Sequence, residues 1–172
     1  TIADALLGFS GVSRRFEFIG KERGVTVVDD YAHHPTEIRA TLEAAQLRAT
    51  GRTLVIFQPH LFSRTRDFLS DFAASLSIAD VALLVDIYPA REKPIPGITS
   101  DEIVKIGRTL SRGEFHYLGP KENAVQRVVE IAQPGDLIIT MGAGSVTHIK
   151  QAILAATMRF GMAGDASVQF RA

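Results

Sequence analysis

Short apolar runs rich in β-branched residues recur along the chain and alternate with stretches of helical periodicity. Continuous apolar runs are typical of strands that are covered on both faces, as in a parallel sheet. Four such runs predict central strands, at residues 25–28, 53–57, 81–85 and 137–140. A weaker run at 115–118 predicts a further strand. The alternation of Phe16 and Phe18 predicts an edge strand, preceded by a leading helix within the first residues.

Apolar residues spaced three and four apart predict helices between these strands. Five such helices are predicted, beginning near Pro35, Phe68, Ser100, Pro120 and Gly144. Proline suits a first helical position because its missing amide hydrogen is not needed there. The alternation predicts a single α/β domain over residues 1–172, an open and mostly parallel sheet with helices on both faces. Residues 161–172 are expected to form a loosely held tail.

The composition narrows the possible function classes. Nineteen Lys and Arg residues balance nineteen Asp and Glu residues, whereas nucleic-acid-binding domains usually carry a basic excess. The chain has no Cys, which excludes disulfides and thiol catalysis and fits the reducing cytoplasm in which we expect it. No apolar run approaches the roughly 20 residues of a membrane-spanning helix, so no membrane contact is expected. Without a start methionine or signal peptide, the sequence is expected to be a piece of something longer.

Ligands of open α/β sheets bind beyond the carboxyl ends of the strands, so polar residues there are the first candidates. The first cluster, DDYAHHPTE at residues 29–37, offers carboxylates for ligand hydroxyls and imidazoles that titrate near neutral pH. A functional role is favoured for Asp30, Tyr31 and His33. In the alternative, Asp29, His34 and Thr36 cap the next helix and Glu37 complements its dipole. That alternative is favoured for His34, Thr36 and Glu37, and a metal site is the least favoured interpretation because adjacent His side chains diverge.

The second cluster, at residues 58–66, places a histidine and two arginines where a strand enters a helix, which suits an anion site. A ligand role is favoured for His60 and Arg64, since Arg can hold a carboxylate or phosphate with two hydrogen bonds. The alternative is a helix capped by Ser63 with solvated arginines, and it is favoured for Arg66.

The third cluster is a glycine-rich turn, MGAGS at residues 141–145. Its glycines would let backbone amides approach a ligand at a helix N-terminus, although a tight strand-to-helix turn explains them equally well. A dinucleotide-binding fingerprint fails, because its third glycine would fall at Thr147. The sequence also contains no GxxxxGK[ST] loop and no GxSxG motif.

The ordered set of motifs resembles the C-terminal domain of the Mur ligases, a family of bacterial cell-wall enzymes. The segments that carry the resemblance are GVSRRFE (11–17), DDYAHHPTE (29–37), FQPHLFSRT (57–65), DIYPAREKPIPG (86–97) and MGAG (141–144). Each motif alone is moderately specific, but the ordered set is highly specific and spans nearly the whole chain. Tyr31, Glu37 and the MGAG turn favour the alanine-adding member over the murein-tripeptide ligase, which shares the HHPT stretch.

The resemblance implies a Rossmann-like third domain of a three-domain, ATP-dependent ligase. In the family, the first domain binds the UDP portion and the central domain carries the phosphate-binding loop and most of the Mg²⁺ ligands. The third domain closes over the site with the incoming amino acid. The implied reaction joins L-alanine to UDP-N-acetylmuramate through an acyl phosphate while ATP becomes ADP and phosphate. Because the first two domains are absent from this sequence, the chain alone is expected to be inactive.

The resemblance also implies roles for single residues on the nucleotide side. Arg15 is expected to reach the ATP phosphates at the domain hinge, and Asp30 to hydrogen-bond the ATP ribose. No metal ligand and no catalytic residue is assigned to this chain.

At the amino-acid end, the resemblance implies that Tyr31 and His33 line the site. His60 and Arg64 are expected to contact the alanine and muramoyl end. Leu61 stands where the family often has Arg. A neighbouring Arg must therefore supply more of the positive charge that binds the ligand. From the residues alone, two alternatives stay open: a free-standing nucleotide- or anion-binding module, and an interaction domain whose Arg and His residues serve a partner protein.

Overall fold

The structure is a computed structural model that describes residues 12–110 and 113–159. The strands are β1 (Glu17–Glu22), β2 (Val25–Asp30), β3 (Thr53–Phe57), β4 (Val81–Val85), β5 (Glu114–Gly119) and β6 (Leu137–Met141). The helices are α1 (Pro35–Gln46), α2 (Phe62–Asp67), α3 (Leu69–Leu76), α4 (Ser100–Leu110), α5 (Asn123–Ile131) and α6 (Lys150–Thr157). The expected leading helix and the expected tail at 161–172 lie outside the described residues.

The strands form one six-stranded sheet in the order β1-β2-β6-β3-β4-β5. The β1 strand runs antiparallel to β2, and every other neighbouring pair is parallel. The prediction of an open, mostly parallel α/β sheet is therefore confirmed. The edge strand predicted from Phe16 and Phe18 is also present, but it begins at Glu17, and Phe16 precedes it with φ 48°. The Phe18 side chain is 65% exposed on that edge.

Helices cover both faces of the sheet, as the continuous apolar runs predict. All residues of β3, β4 and β6 are buried. On one face, α1, α3 and α4 pack against the sheet through side chains such as Leu42, Phe72 and Ile103. On the other face, α5 and α6 contribute Val128 and Ile153. Burial on both faces explains why β3 and β4 begin and end where the apolar runs do.

Three predicted helices differ in detail from the structure. The helix expected around Phe68 is two helices, α2 and α3, because Phe68 has φ −120° and ψ 21° and interrupts the helical path. The helix expected to open at Pro120 begins at Asn123 instead, since the Asn123 amide closes a turn on the Pro120 carbonyl at 3.0 Å. After Gly144, a short 3-10 helix (Ser145–Ile149) precedes α6.

This topology brings the candidate clusters to one edge of the sheet. Strand β6 lies between β2 and β3, so the carboxyl ends of these three parallel strands are adjacent. Ligand sites of such sheets lie at this edge, where the strand order reverses. Within residues 12–110 and 113–159, no helix has the length and apolar character needed to cross a membrane.

Candidate functional site

A row of four rings brings the first two clusters together at the carboxyl edge of the sheet. The Tyr31 and His33 ring centroids are 5.2 Å apart, and those of His33 and His60 are 6.1 Å apart. The His60 ring in turn stacks on Tyr88 at 5.6 Å, with 22° between the planes. Tyr31, His33 and His60, predicted from separate motifs, are therefore neighbours in the fold. Tyr88 was not predicted, although its place after β4 is a strand end of the same kind.

Two polar atoms in this region are buried without a hydrogen-bond partner among the described residues. They are Nδ1 of His60 and Nη1 of Arg64. Burial, the Arg64 charge and the His33 ring together lower the pKa of His60, although Glu92 acts in the opposite direction. A buried donor without a partner is costly, and an arriving anion would satisfy it with a charge-assisted hydrogen bond. The pair thus has the character of an anion-binding site.

The helix that carries Arg64 has an unusual N-terminus. Its N-cap residue, Leu61, has φ 70° and ψ 137° and makes no side-chain capping hydrogen bond. The Ser63 amide instead donates to a Glu92 carboxylate oxygen at 2.9 Å, and the Ser63 hydroxyl donates to the other oxygen at 2.5 Å. The interpretation of Ser63 as a helix cap is therefore wrong, because its hydroxyl is committed to Glu92. Arg66 is exposed and pairs with Asp67 at 2.7 Å, as expected of a solvated arginine.

An open cavity of about 430 Å³ lies beside β2 and α1. Its walls include Arg15, Asp30, Tyr31 and Arg48. The size is within the range of small-ligand sites. The two residues expected to contact the nucleotide, Arg15 and Asp30, therefore share one cavity, and the aromatic Tyr31 joins it to the row of rings.

The Asp30 carboxylate already organises the backbone around this cavity. One oxygen accepts from the Phe16 amide at 2.7 Å, and the other accepts from the Ala32 amide at 2.8 Å. A carboxylate has about four acceptor positions, so each Asp30 oxygen retains capacity for a ligand hydroxyl.

The neighbouring Asp29 has a structural role that sequence reasoning missed. It is fully buried and accepts hydrogen bonds from the hydroxyls of Thr140 at 2.6 Å and Thr147 at 2.9 Å. The Arg14 Nε atom lies 3.3 Å from an Asp29 oxygen, and the Arg14 guanidinium also donates to the Gly142 carbonyl at 2.5 Å. The suggestion that Asp29 caps a helix is therefore wrong, since its oxygens join β2 to β6 and to the segment before β1.

The start of α1 confirms the capping interpretation for His34 and Glu37, whereas Thr36 contributes only its backbone amide. His34 is the N-cap residue, and its Nδ1 accepts from the Thr36 amide at 3.3 Å. A Glu37 oxygen accepts from the amides of His33 at 3.0 Å and His34 at 3.1 Å. Burial raises the pKa of Glu37, but these hydrogen bonds together with the charges of His33 and His34 lower it further, and the net shift is downward. Glu37 therefore remains ionised at the positive end of the α1 dipole.

The glycines of the third cluster make room for protein atoms. A Cβ on Gly142 would lie 2.6 Å from the Gln58 carbonyl oxygen. A Cβ on Gly144 would lie 2.5 Å from Gln58 Oε1 and 2.7 Å from the Tyr88 Cβ. The Val146 amide also donates to Gln58 Oε1 at 2.9 Å. The tight-turn interpretation of these glycines is confirmed, and Gln58, which sequence reasoning left without a role, is the residue they accommodate.

The described residues contain no group of three or more His, Cys, Asp or Glu side chains that could hold a metal ion.

Comparisons with known proteins identify relatives of this chain by sequence and by fold. The family model described as "Mur ligase, glutamate ligase domain" matches residues 14–144. The chain is 50% identical over 151 residues to a UDP-N-acetylmuramate–L-alanine ligase of Renibacterium salmoninarum, covering 87% of this chain and 31% of that protein. It is 53% identical over 150 residues to the enzyme of the same name from Paenarthrobacter aurescens, covering 84% of this chain and 31% of that protein.

A solved structure shares the fold. The crystal structure of a murein peptide ligase from Psychrobacter arcticus aligns with a TM-score of 0.71 and 28% identity, covering 90% of this chain and 32% of that one. The chain thus spans about a third of the length of the relatives it matches.

Proposed function

Since the chain belongs to the Mur ligase family, we propose that it is the C-terminal domain of an ATP-dependent ligase that joins L-alanine to UDP-N-acetylmuramate. The identities of 50% and 53% with alanine ligases support this choice of substrates. In the proposed reaction, ATP phosphorylates the lactyl carboxylate of the sugar and ADP leaves. The alanine amine then attacks the carbonyl carbon of the acyl phosphate, phosphate leaves and an amide bond forms. ATP and nucleotide-linked sugars are cytoplasmic compounds, so we place the reaction in the cytoplasm.

The observation that carries the proposal is the pair of unpartnered nitrogens, His60 Nδ1 and Arg64 Nη1. L-alanine keeps a free carboxylate throughout the reaction, and that carboxylate needs a cationic, hydrogen-bonding anchor. Arg64 provides the charge, while the lowered pKa of His60 keeps that ring neutral near pH 7, as a donor through one nitrogen. Tyr31 and His33, in the same row of rings, would line the remainder of the amino-acid pocket.

Arg15 and Asp30 are proposed to serve the nucleotide from the neighbouring cavity. The remaining acceptor positions of Asp30 suit ribose hydroxyls, and the exposed Arg15 side chain suits phosphate oxygens. When bound, Mg²⁺ would neutralise phosphate charge during the transfer. Because the described residues offer no cluster that could hold it, we assign its protein ligands to another part of the full-length enzyme.

Closure of this domain over the rest of the enzyme would bring its cations to the reacting groups. Such closure also excludes water, which would otherwise hydrolyse the acyl phosphate. The chain alone has no phosphate-binding loop, so we expect activity only in the full-length protein.

The murein peptide ligase is the second candidate, because a structure of that name aligns with a TM-score of 0.71. The sequence identity to that protein, 28%, is well below the 50% and 53% found with alanine ligases. The two candidates differ in the amine that attacks the acyl phosphate, which is free L-alanine in one and a peptide in the other.

The test is phosphate release by the full-length protein with ATP, Mg²⁺ and UDP-N-acetylmuramate, with different amine donors. We expect release that depends on L-alanine and a product heavier by one alanine residue. Release only with an L-alanyl tripeptide would favour the second candidate. Tight ATP binding by the isolated chain, with no release by the full-length protein, would favour a free-standing binding module.

A further inference from the structure

The loop at residues 86–98, which follows β4, contains none of the six residues assigned to ligands. It nevertheless contacts His60 through Tyr88, and it contacts α2, the helix that carries Arg64, through Glu92. We propose that Glu92 of this loop is a positioning residue, which caps α2 from outside and thereby holds Arg64 in place for the ligand carboxylate. The identity of that ligand rests on the proposed function, whereas the cap itself does not.

Glu92 replaces the N-cap that α2 lacks in its own sequence. Leu61, at the N-cap position, has an apolar side chain and makes no capping hydrogen bond. The two oxygens of Glu92 accept from the Ser63 hydroxyl at 2.5 Å and the Ser63 amide at 2.9 Å. These hydrogen bonds, with a further one from the Phe62 amide, lower the pKa of Glu92. An ionised carboxylate thus meets the free amides at the positive end of the helix, 29 residues away in sequence.

The α2 helix depends on such outside support because it is short and because its N-cap residue has an unfavourable backbone conformation. It has six residues, fewer than two turns, and so short a helix does not hold itself together in water. Its N-cap residue Leu61 has φ 70°, a conformation that a non-glycine residue keeps only where its surroundings impose it. The position of Arg64, in the middle of this helix, is therefore set by contacts from elsewhere.

The same loop also holds His60, the residue that precedes Leu61. The Tyr88 amide donates to the Pro59 carbonyl at 2.8 Å, and the Leu61 amide donates to the Tyr88 carbonyl at 2.9 Å. These hydrogen bonds flank His60, whose ring stacks on the Tyr88 ring. The loop therefore fixes His60 through Tyr88 and α2 through Glu92, which keeps the two unpartnered nitrogens in one arrangement.

The start of the loop is itself anchored to the sheet. The Asp86 amide donates to the Gly119 carbonyl at 2.8 Å, and the Asp86 carboxylate accepts from the Tyr117 hydroxyl. Glu92 thus projects from a segment that is tied to β5, and its carboxylate can restrain α2.

The experiment compares Glu92→Ala and Glu92→Gln in the full-length protein, with Glu130→Ala as the matched control. Glu130 is an exposed carboxylate on α5 that pairs with Arg127 at 3.0 Å, so its loss tests the effect of removing a surface charge. Loss of a hydrogen bond to a charged group corresponds to roughly a 10- to 100-fold effect. For Glu92→Ala we expect a fall of about that size in kcat/KM for L-alanine, while the KM for ATP changes by less than about 2-fold.

Glu92→Gln should recover most of this loss, because a glutamine oxygen can still accept from the Ser63 amide. Glu130→Ala should match the wild type. Equal losses in the alanine and ATP parameters would indicate a general structural effect and overturn the positioning role, as would wild-type alanine kinetics in Glu92→Ala.

A second measurement tests the cap without relying on the reaction. Amide hydrogen exchange at Ser63 should accelerate in Glu92→Ala and return close to the wild-type rate in Glu92→Gln. Unchanged exchange at Ser63 in Glu92→Ala would overturn the cap. An inactive wild-type protein would overturn the proposed function instead, so the two failures are distinguishable.

Discussion

Replacing Arg64 by lysine tests whether the guanidinium shape, and not only its charge, is needed at the anion site. Arg64 Nη1 is buried without a partner among the described residues, so the side chain can still form hydrogen bonds with a ligand. A guanidinium can hold both oxygens of a carboxylate at once, whereas an ammonium group is a single point charge on a flexible stem. Arg64→Lys keeps the charge and loses the paired geometry.

The expected magnitude follows from the energetics of a buried charge pair. Removing one partner of a buried, hydrogen-bonded charge pair costs about 2–5 kcal/mol, which is roughly a 30- to several-thousand-fold loss in rate or affinity. We expect Arg64→Ala to lose this much in kcat/KM for L-alanine, and Arg64→Lys to lose nearly as much. If the contact forms only in the closed enzyme, kcat falls together with kcat/KM.

Neither substitution of Arg64 should lower the thermal stability of the ligand-free protein. Since Nη1 makes no hydrogen bond within the described part of the chain, its removal breaks no hydrogen bond at that atom. We expect the Tm of both variants to stay within about 2 °C of the wild type.

The assay is steady-state kinetics of the full-length variants, with thermal unfolding as the folding control. Near-normal alanine kinetics in Arg64→Lys would refute the two-oxygen contact. Large drops in Tm for both variants would show that Arg64 supports the fold and does not serve the ligand.

Three further predictions concern the surroundings of the site. Gly144→Ala places a Cβ 2.5 Å from Gln58 Oε1, and overpacking of this kind should lower the free energy of unfolding by about 1–3 kcal/mol in a denaturant titration; an unchanged midpoint would contradict the close packing. The hydrogen bond to Asp86 raises the pKa of Tyr117 to about 12, so its contribution to stability is complete below the ordinary value near 10 and is lost as the pH rises toward 12. The difference in stability between the wild type and Tyr117→Phe should therefore shrink over that range, and a pH-independent difference would refute the assignment. Asp30→Ala should raise the KM for ATP by roughly 10- to 100-fold, the effect of one lost hydrogen bond to a charged group, and unchanged ATP dependence would remove Asp30 from the nucleotide site.

The parts of the fold that follow from local patterns could be predicted from the sequence. Strands β3 and β4 match their apolar runs at both ends because both faces of these strands are buried. The start of α1 follows from Pro35 and from the His34 and Glu37 capping pair, whose partners are within four residues of one another.

The features that sequence reasoning missed depend on contacts between distant segments. The cap on α2 involves Glu92, which lies 29 residues beyond Ser63. The requirement for Gly144 comes from the close approach of Gln58, 86 positions earlier in the chain. No local periodicity encodes such contacts. His33 and His60 were each singled out because they follow strand ends, where the ligands of open α/β sheets bind, and the fold places their rings 6.1 Å apart.

The most direct test of the account is a crystal structure of the full-length protein with a non-hydrolysable ATP analogue, UDP-N-acetylmuramate and L-alanine. The account predicts that the alanine carboxylate lies about 3 Å from Arg64 Nη1, within hydrogen-bond distance, and that His60 Nδ1 gains a ligand or water partner in the same pocket. A carboxylate bound elsewhere, with Arg64 Nη1 still without a ligand partner in the closed enzyme, would contradict the account.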